Sequence, residues 1–485
     1  MSLDLAAAVR ASIAQGGESG MIAFAGHWRS WQWLSDTADN INAALGDAGA
    51  VGLIARNRPQ HIAAFAAQIL ARRTTAMIYS AQSPAGIAAD IRSLRLPTVI
   101  ADAQDWSVEA LAAARETGCA AIAITDAAPS EAVKILIPRG YETFRDPVPD
   151  IAFELLSSGT TGAPRRVALS WDAITAAIAN AKTAYAGTGG TDAPQIMVHP
   201  LGNVAGLAYV TPPLAYGQRL VLLEKFDARA WAQAVRDYRP ARGTIPPAGV
   251  RMLLDSNIAA DDLSSLSLLA VGGGTLDIDT HLAFEKRFSV PILTAFGATE
   301  FGGVIAHWTL DSYRQWGAAK RASAGQASAG VTLRVIDQED FHPLGSGKIG
   351  LLEARVTRIG PDWIRTTDLA SLDSDGFLFL HGRADAAINR GGFKIVPDAV
   401  VAMLKEHPSV ADAAVVGIPD MRLGEIPVAA VELTAGARAD GESLRAWLKH
   451  RMVAYQVPVS IKVVDALPRN ASMKISLPDL RALFA

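Results

Sequence analysis

The residues best suited to chemistry begin with Ser157, Ser158, Gly159, Thr160, Thr161 and Gly162, a loop that follows the strand-like FELL and precedes a helix expected near Ser170. Glycines let a backbone turn tightly and approach a ligand, while hydroxyls and amides supply donors for phosphate oxygens. No Gly-Lys-Ser/Thr closes the loop, so it is not a Walker motif. Four further runs stand downstream: VGGGTL (271–276), AFGATEFG (295–302), the long stretch 362–400, and ALPRNASMKISLPDL (466–480). Singly these are weak signals. A Ser/Thr/Gly loop is more often a surface turn than a site, three glycines in a row are usually a turn, and a lysine close to a C-terminus is ordinarily a solvated charge.

Their joint occurrence and order resemble the adenylate-forming superfamily, which includes acyl-CoA synthetases, peptide-synthetase adenylation domains and luciferases. The loop at 157–162 is similar to that family's phosphate loop, SGTTGxPKG, with Arg165 and Arg166 in the Lys-Gly places. By resemblance, the backbone of Gly272, Gly273 and Gly274 packs against adenine, and Phe296, followed by Gly297, stacks near the same ring. Thr299 then contacts the α-phosphate and Glu300 holds Mg²⁺, because a hard cation takes carboxylate and phosphate oxygens together. Asp368 corresponds to the carboxylate that accepts both ribose hydroxyls, and Arg383 to the arginine that reaches ribose and phosphate. Asp385 corresponds to the interdomain hinge. Lys474 matches the catalytic lysine of PRTxxGKxxR, which offsets repulsion between a carboxylate and ATP. The chain departs from the family pattern at Thr367 and Met473, both glycine positions, and at Ala386, an acidic one.

The resemblance implies ATP, Mg²⁺ and CoA as cofactors, and a reaction in two halves. A carboxylate attacks the α-phosphate to give an acyl-adenylate and pyrophosphate. A thiol then displaces AMP and leaves a thioester. Gly391 and Gly392 would line a pantetheine tunnel, although a plain turn before a strand fits them equally well. For the acid, the run HPLGNVAGLAYV (199–210) places Asn203 where CoA ligases commonly have histidine, and Gly206 and Gly302 mark the expected acyl pocket. The segments 199–210, 271–276 and 295–305 hold no lysine or arginine, so a second substrate carboxylate has no partner there. The expected acid is therefore hydrophobic: fatty, aryl or alicyclic. Two rivals stay open, an acyl-AMP ligase loading a separate acyl carrier protein and a nucleotide-binding relative without turnover. The short tail after Lys474 is expected to carry no fused carrier domain, and GGFKIVPDAV resembles the glycine-containing loop of acyl-CoA synthetases more than that of peptide-synthetase domains, so CoA is the expected acceptor.

The elements that must position these residues are legible in the apolar rhythm. AVGLIA (50–55), TAMIYS, PTVIAD (97–102) and AAIAIT (120–125) read as buried strands, with helical stretches such as QHIAAFAAQILARR between them. Such alternation predicts a mostly parallel sheet covered on both faces. A second regime from about Gly382 predicts a compact α+β unit. The expected fold is α/β, with a large N-terminal domain of layered sheets (residues 1–383) and a small mobile C-terminal domain (386–485). A net charge of -3 over 485 residues gives no electrostatic case for nucleic acid or an anionic membrane. No run approaches a membrane span, the N-terminus does not read as a signal peptide, and the single cysteine, Cys119, fits a reducing compartment. The expected location is the cytoplasm.

Overall fold

The structure, a computed structural model, describes residues 3–156, 166–184, 193–274, 276–384, 386–390, 393–421, 423–470 and 473–485. It divides into two compact units. One takes the N-terminal part of the chain through Val331 together with Val356–Pro361; the other takes Thr332–Arg355 and Asp362–Ala485.

The first unit is built on three sheets. The largest has seven strands, in the order Val133–Ile137, Ala120–Ile124, Thr98–Asp102, Ala50–Ala55, Thr74–Tyr79, Ile151–Leu156 and Arg166–Ser170. The four expected strands are all present and pair in parallel. Their continuous apolar runs follow from burial on both faces. Val51 and Leu53 point into a core with Phe65 and Phe153, whose rings stack at 4.7 Å, while Ala50 and Ile54 join Ile87, Ile91 and Trp106 on the other side. Cys119 is buried in this second core, where desolvation pushes its thiol up to about 12. It is an inert packing group there.

Strand Ala50–Ala55 lies between the next two strands in sequence, so the order of strand addition reverses at its carboxyl end. Open α/β sheets usually bind ligands at such a switch point. Here the crevice is filled by the protein's own charges: Arg56 grips Asp105 through two hydrogen bonds of 2.8 and 2.6 Å, and Arg58 reaches Asp102 at 3.0 Å.

A five-stranded sheet follows, in the order Arg242–Ile245, Leu268–Gly272, Ile292–Ala298, Gly303–His307 and Gln326–Ala327. Its first three strands are parallel, so their carboxyl ends share one edge. A four-stranded sheet containing Gln195–Met197 and Leu220–Leu222 completes the unit. The second unit holds a sheet of Val331–Ile336, Gly350–Val356, Trp363–Leu372 and Leu378–Arg383, the last three antiparallel, and a sheet centred on the long pair Val410–Asp420 and Gly424–Leu433. Helices Pro397–Lys405 and Gly441–Lys449 bury Val400, Leu404, Leu444 and Leu448 against that pair.

Asn57, just beyond strand Ala50–Ala55, ties three segments of the first unit together. Its amide donates to the carbonyls of His199 (3.0 Å) and Leu223 (3.2 Å), and its oxygen accepts from the Leu201 amide (2.9 Å). The side chain is buried, so removing it strands those backbone groups away from water. Asn57→Ala should lower unfolding stability by about 2–4 kcal/mol. Urea denaturation checks this, and a loss below about 0.5 kcal/mol would show that the 199–201 segment is held by other contacts.

Candidate active site

The carboxyl edge of the five-stranded sheet carries two of the expected motifs. Gly272 ends strand Leu268–Gly272 and pairs in register with Ala295 of the neighbouring strand. Gly273 follows at φ 84°, a conformation that glycine adopts without strain. The strand Ile292–Ala298 carries the half-buried Phe296 and then folds back through a short 3₁₀ turn, Thr299–Phe301. This hairpin needs Gly297. A Cβ at that position would lie 2.3 Å from the Gly303 carbonyl oxygen, and the register shifts between Phe296 and Gly297. Gly302, at φ 63°, closes the turn.

Within the turn, Phe301 is buried as an anchor, Thr299 is buried at 8% exposure, and Glu300 projects to the surface. Arg358 braces the turn from outside, donating from Nε to the Phe301 carbonyl (3.1 Å) and from Nη2 to the Val304 carbonyl (2.9 Å). Burial draws its pKa down from the usual guanidinium range. Among the described residues no trio of His, Cys, Asp or Glu could cage a metal. A single exposed carboxylate suits Mg²⁺, which keeps water and phosphate oxygens as its other ligands.

The expected acyl segment lies in the same unit. Asn203 caps helix Val204–Tyr216, its side-chain oxygen accepting from the Gly206 amide at 2.8 Å. Gly206 has a backbone reason of its own, since a Cβ there would lie 2.1 Å from the Pro200 carbonyl oxygen. A Cβ on Gly302 would come within 3.2 Å of Ile359. Val204, Ala205, Ala208 and Tyr209 are half-buried and recur at helical spacing, giving the helix one apolar, partly open face.

In the second unit, Asp368 and Arg383 are register partners on adjacent antiparallel strands, which places their side chains side by side. Arg383 Nη2 donates to the Thr367 hydroxyl at 2.6 Å. The threonine that replaces a glycine therefore orients this guanidinium. Lys474 is exposed and sits in a tight hairpin: the Asn470 amide donates to the Lys474 carbonyl (2.8 Å), the Met473 amide to the Asn470 carbonyl (2.8 Å), and the Lys474 amide to the Asn470 side chain (3.1 Å). Met473 takes φ 61°, the left-handed region. The glycine-type backbone is thus retained with a methionine in it.

Ser157, Ser158, Gly159, Thr160, Thr161, Gly162 and Arg165 lie outside the described residues, as do Thr275, Asp385, Gly391 and Gly392. The strands flanking the first of these loops pair at Leu156 and Arg166. Arg166 itself is turned inward, donating to the Met77 carbonyl at 2.9 Å and facing Asp90 at 3.4 Å. Arg358, Asn57 and Thr367 are the supporting residues that sequence motifs missed. Only Thr367 left a trace there, as a departure from the family pattern.

The left-handed conformation at Met473 generates a test. Met473→Gly relieves the Cβ strain, whereas Met473→Val puts a β-branched residue where it is a conformational outlier. Hydrogen exchange of the Asn470 amide should be about 10-fold faster in the valine variant than in the glycine variant, the effect of roughly 1.4 kcal/mol. Equal rates would contradict this account of the hairpin.

Comparison with known proteins agrees with this geometry. Residues 9–357 match the AMP-binding enzyme family and residues 400–474 match the AMP-binding enzyme C-terminal domain. The peroxisomal OPC-8:0-CoA ligase 1 of Arabidopsis thaliana is 30% identical over 68% of this chain and 64% of its own length. The indoleacetate–CoA ligase of Aromatoleum aromaticum is 31% identical over 68% of this chain and 66% of its own length. The matched stretch thus spans slightly less than two thirds of each of these relatives. The fold is similar to that of ATP-bound MatB from Rhodopseudomonas palustris, with a TM-score of 0.84 at 21% identity over 100% of this chain and 99% of the other. It is also similar to the o-succinylbenzoate CoA synthetase of Bacillus subtilis in complex with its acyl-adenylate, at 0.80 and 20% over 98% and 97%. The chain belongs to the AMP-binding enzyme family.

Proposed function

We propose that this protein is an AMP-forming acid–thiol ligase, which activates a carboxylic acid with ATP and passes the acyl group to CoA. The observation that carries the reading is the shared carboxyl edge, where the Gly272–Gly274 turn and the Thr299–Glu300 turn end adjacent strands. Backbone can approach a nucleotide there without side chains intervening. Membership of the family and its CoA-ligase relatives support the same reading.

In this proposal Thr299 contacts the α-phosphate, Phe296 and the three glycines hold adenine, and Ser157–Gly162 cradle the phosphates. Mg²⁺, held by Glu300 and phosphate oxygens, would neutralise charge at the reacting phosphorus. Asp368 accepts from the ribose hydroxyls, and Arg383, steadied by Thr367, reaches ribose and phosphate. Asp385 is the proposed hinge between a domain ending at 383 and a mobile one from 386. Gly391 and Gly392 line the proposed route for CoA. The acid is proposed to be hydrophobic, because the partly open helix face at Val204, Ala205 and Ala208 is apolar. Arg358, which lies outside the pocket segments, reaches 295–305, but its Nε and Nη2 are already committed to backbone carbonyls.

Lys474 is proposed to offset the repulsion between the carboxylate and ATP in the first half-reaction only. Lys474→Ala should slow pyrophosphate-forming adenylation by roughly 10²–10³, the scale of removing one charge-stabilising group. Thioester formation from supplied acyl-adenylate and CoA should fall far less. Single-turnover measurement of the two halves decides, and equal losses in both would remove Lys474 from the assigned role. Offering a carrier protein beside CoA, with mass analysis of the products, identifies the acceptor.

A further inference from the structure

We infer that the acid carries a neutral oxygen substituent, read by a hydrogen-bonded string of His199, Thr244 and Tyr209; this rests on the acid-activating reading above. His199 Nε2 lies 3.0 Å from the Thr244 hydroxyl, and that hydroxyl lies 2.8 Å from the Tyr209 phenol oxygen. The imidazole also stacks on the Tyr209 ring, with centroids 4.7 Å apart and planes 10° from parallel. His199 and Thr244 are buried, while Tyr209 is partly open. The string therefore has one closed end and one open end.

Its open end meets the proposed acid site. Gly243 turns toward Trp231, since a Cβ there would lie 2.8 Å from that ring, so Thr244 points to the opposite face of the sheet. Through the strand registers Ala270, Gly272, Leu293 and Ala295 lie on Thr244's face. Gly272 and Ala295 are partly open although they sit on interior strands. Tyr209 belongs to the partly open helix face of Val204, Ala205 and Ala208, and its phenol touches Thr244. The Tyr209 hydroxyl thus joins the partly open helix face to the sheet face that carries Thr244, Gly272 and Ala295, and it is the polar group of that otherwise apolar helix face.

The helix backbone that carries the phenol is held as well. Pro213 has no amide to give the Tyr209 carbonyl four residues earlier, and Gln195 fills that position with a side-chain donor at 3.0 Å. The histidine supplies adaptability. Burial pushes the His199 imidazole down to about 4, so it is neutral near pH 7 and carries one ring proton. With that proton on Nε2, donation runs from His199 to Thr244 to Tyr209, and the phenol hydrogen is turned outward. With it on Nδ1, donation runs the other way, and the phenol presents lone pairs. One string can therefore meet a ligand's carbonyl or ether oxygen as donor, or its hydroxyl as acceptor. A purely hydrocarbon acid would take water from the phenol and leave its outward proton or lone pair unmatched, since Thr244 fills only one of its hydrogen-bonding positions.

The test uses matched pairs of aryl and alkyl acids that differ by one hydroxyl, methoxy or oxo group, with ATP and CoA present and acid-dependent AMP formation as readout. The wild-type protein should favour the oxygenated member of its best pair by about 10-fold in kcat/KM. Tyr209→Phe should bring that ratio close to one. Thr244→Val, which keeps the phenol but cuts it from His199, should lower the ratio as well. AMP formation with no preference in the wild type, or a preference that survives Tyr209→Phe, overturns this inference alone. No AMP from any acid overturns the activation reading, and this inference with it.

Discussion

In the proposed site, backbone must reach a nucleotide at the edge of the five-stranded sheet without side chains standing in the way, and much of the first unit fits that requirement. Gly297 lets the hairpin fold back within contact distance of Gly303, and Gly302 and Gly273 take left-handed conformations on either side. Such an edge has little packing of its own, because glycine buries nothing. Its rigidity is supplied by neighbours: the buried Phe301, the Arg358 clamp on two carbonyls, and the continuous core beneath the parallel strands. Asn57 does the same for the 199–201 segment.

Charge imposes the second requirement. The chain is slightly acidic, yet its proposed reactants are both anions, so attraction must come from placed cations rather than a general field. Several guanidinium groups of the first unit are already engaged: Arg166 on Met77 and Asp90, Arg358 on the turn, Arg56 and Arg58 on Asp105 and Asp102. In the second unit, Arg383 is aimed by Thr367, and Lys474 is presented by a hairpin whose left-handed corner is methionine. These are the two cations to which the proposed chemistry assigns work.

How much could be read beforehand divides along physical lines. Strands such as Ala50–Ala55 and Thr98–Asp102 were legible because burial on both faces writes an unbroken apolar run into the sequence. Helix Pro84–Leu94 starts from an equally local signal, Ser83 capping it and Pro84 fitting its first turn. The motifs around Thr299 and Asp368 were legible because their residues are close together in the chain. Contacts across long separations were not. Arg358 meets Phe301 from 57 residues away, and His199 meets Thr244 from 45. No local pattern announces either one. Glycines were ambiguous for another reason: Gly206 looked like room for a ligand, but it is required by the approach of Pro200. Sequence shows that a side chain is missing, not which neighbour needs the space.

The central claim, that a carboxylic acid is joined to AMP, has one direct measurement. The purified protein is incubated with ATP, Mg²⁺, CoA and a panel of carboxylic acids, and the nucleotide products are resolved. The account predicts AMP and pyrophosphate in equal amounts, formed only when an accepted acid is present. ADP and phosphate as products, or nucleotide turnover indifferent to the acid, would contradict it.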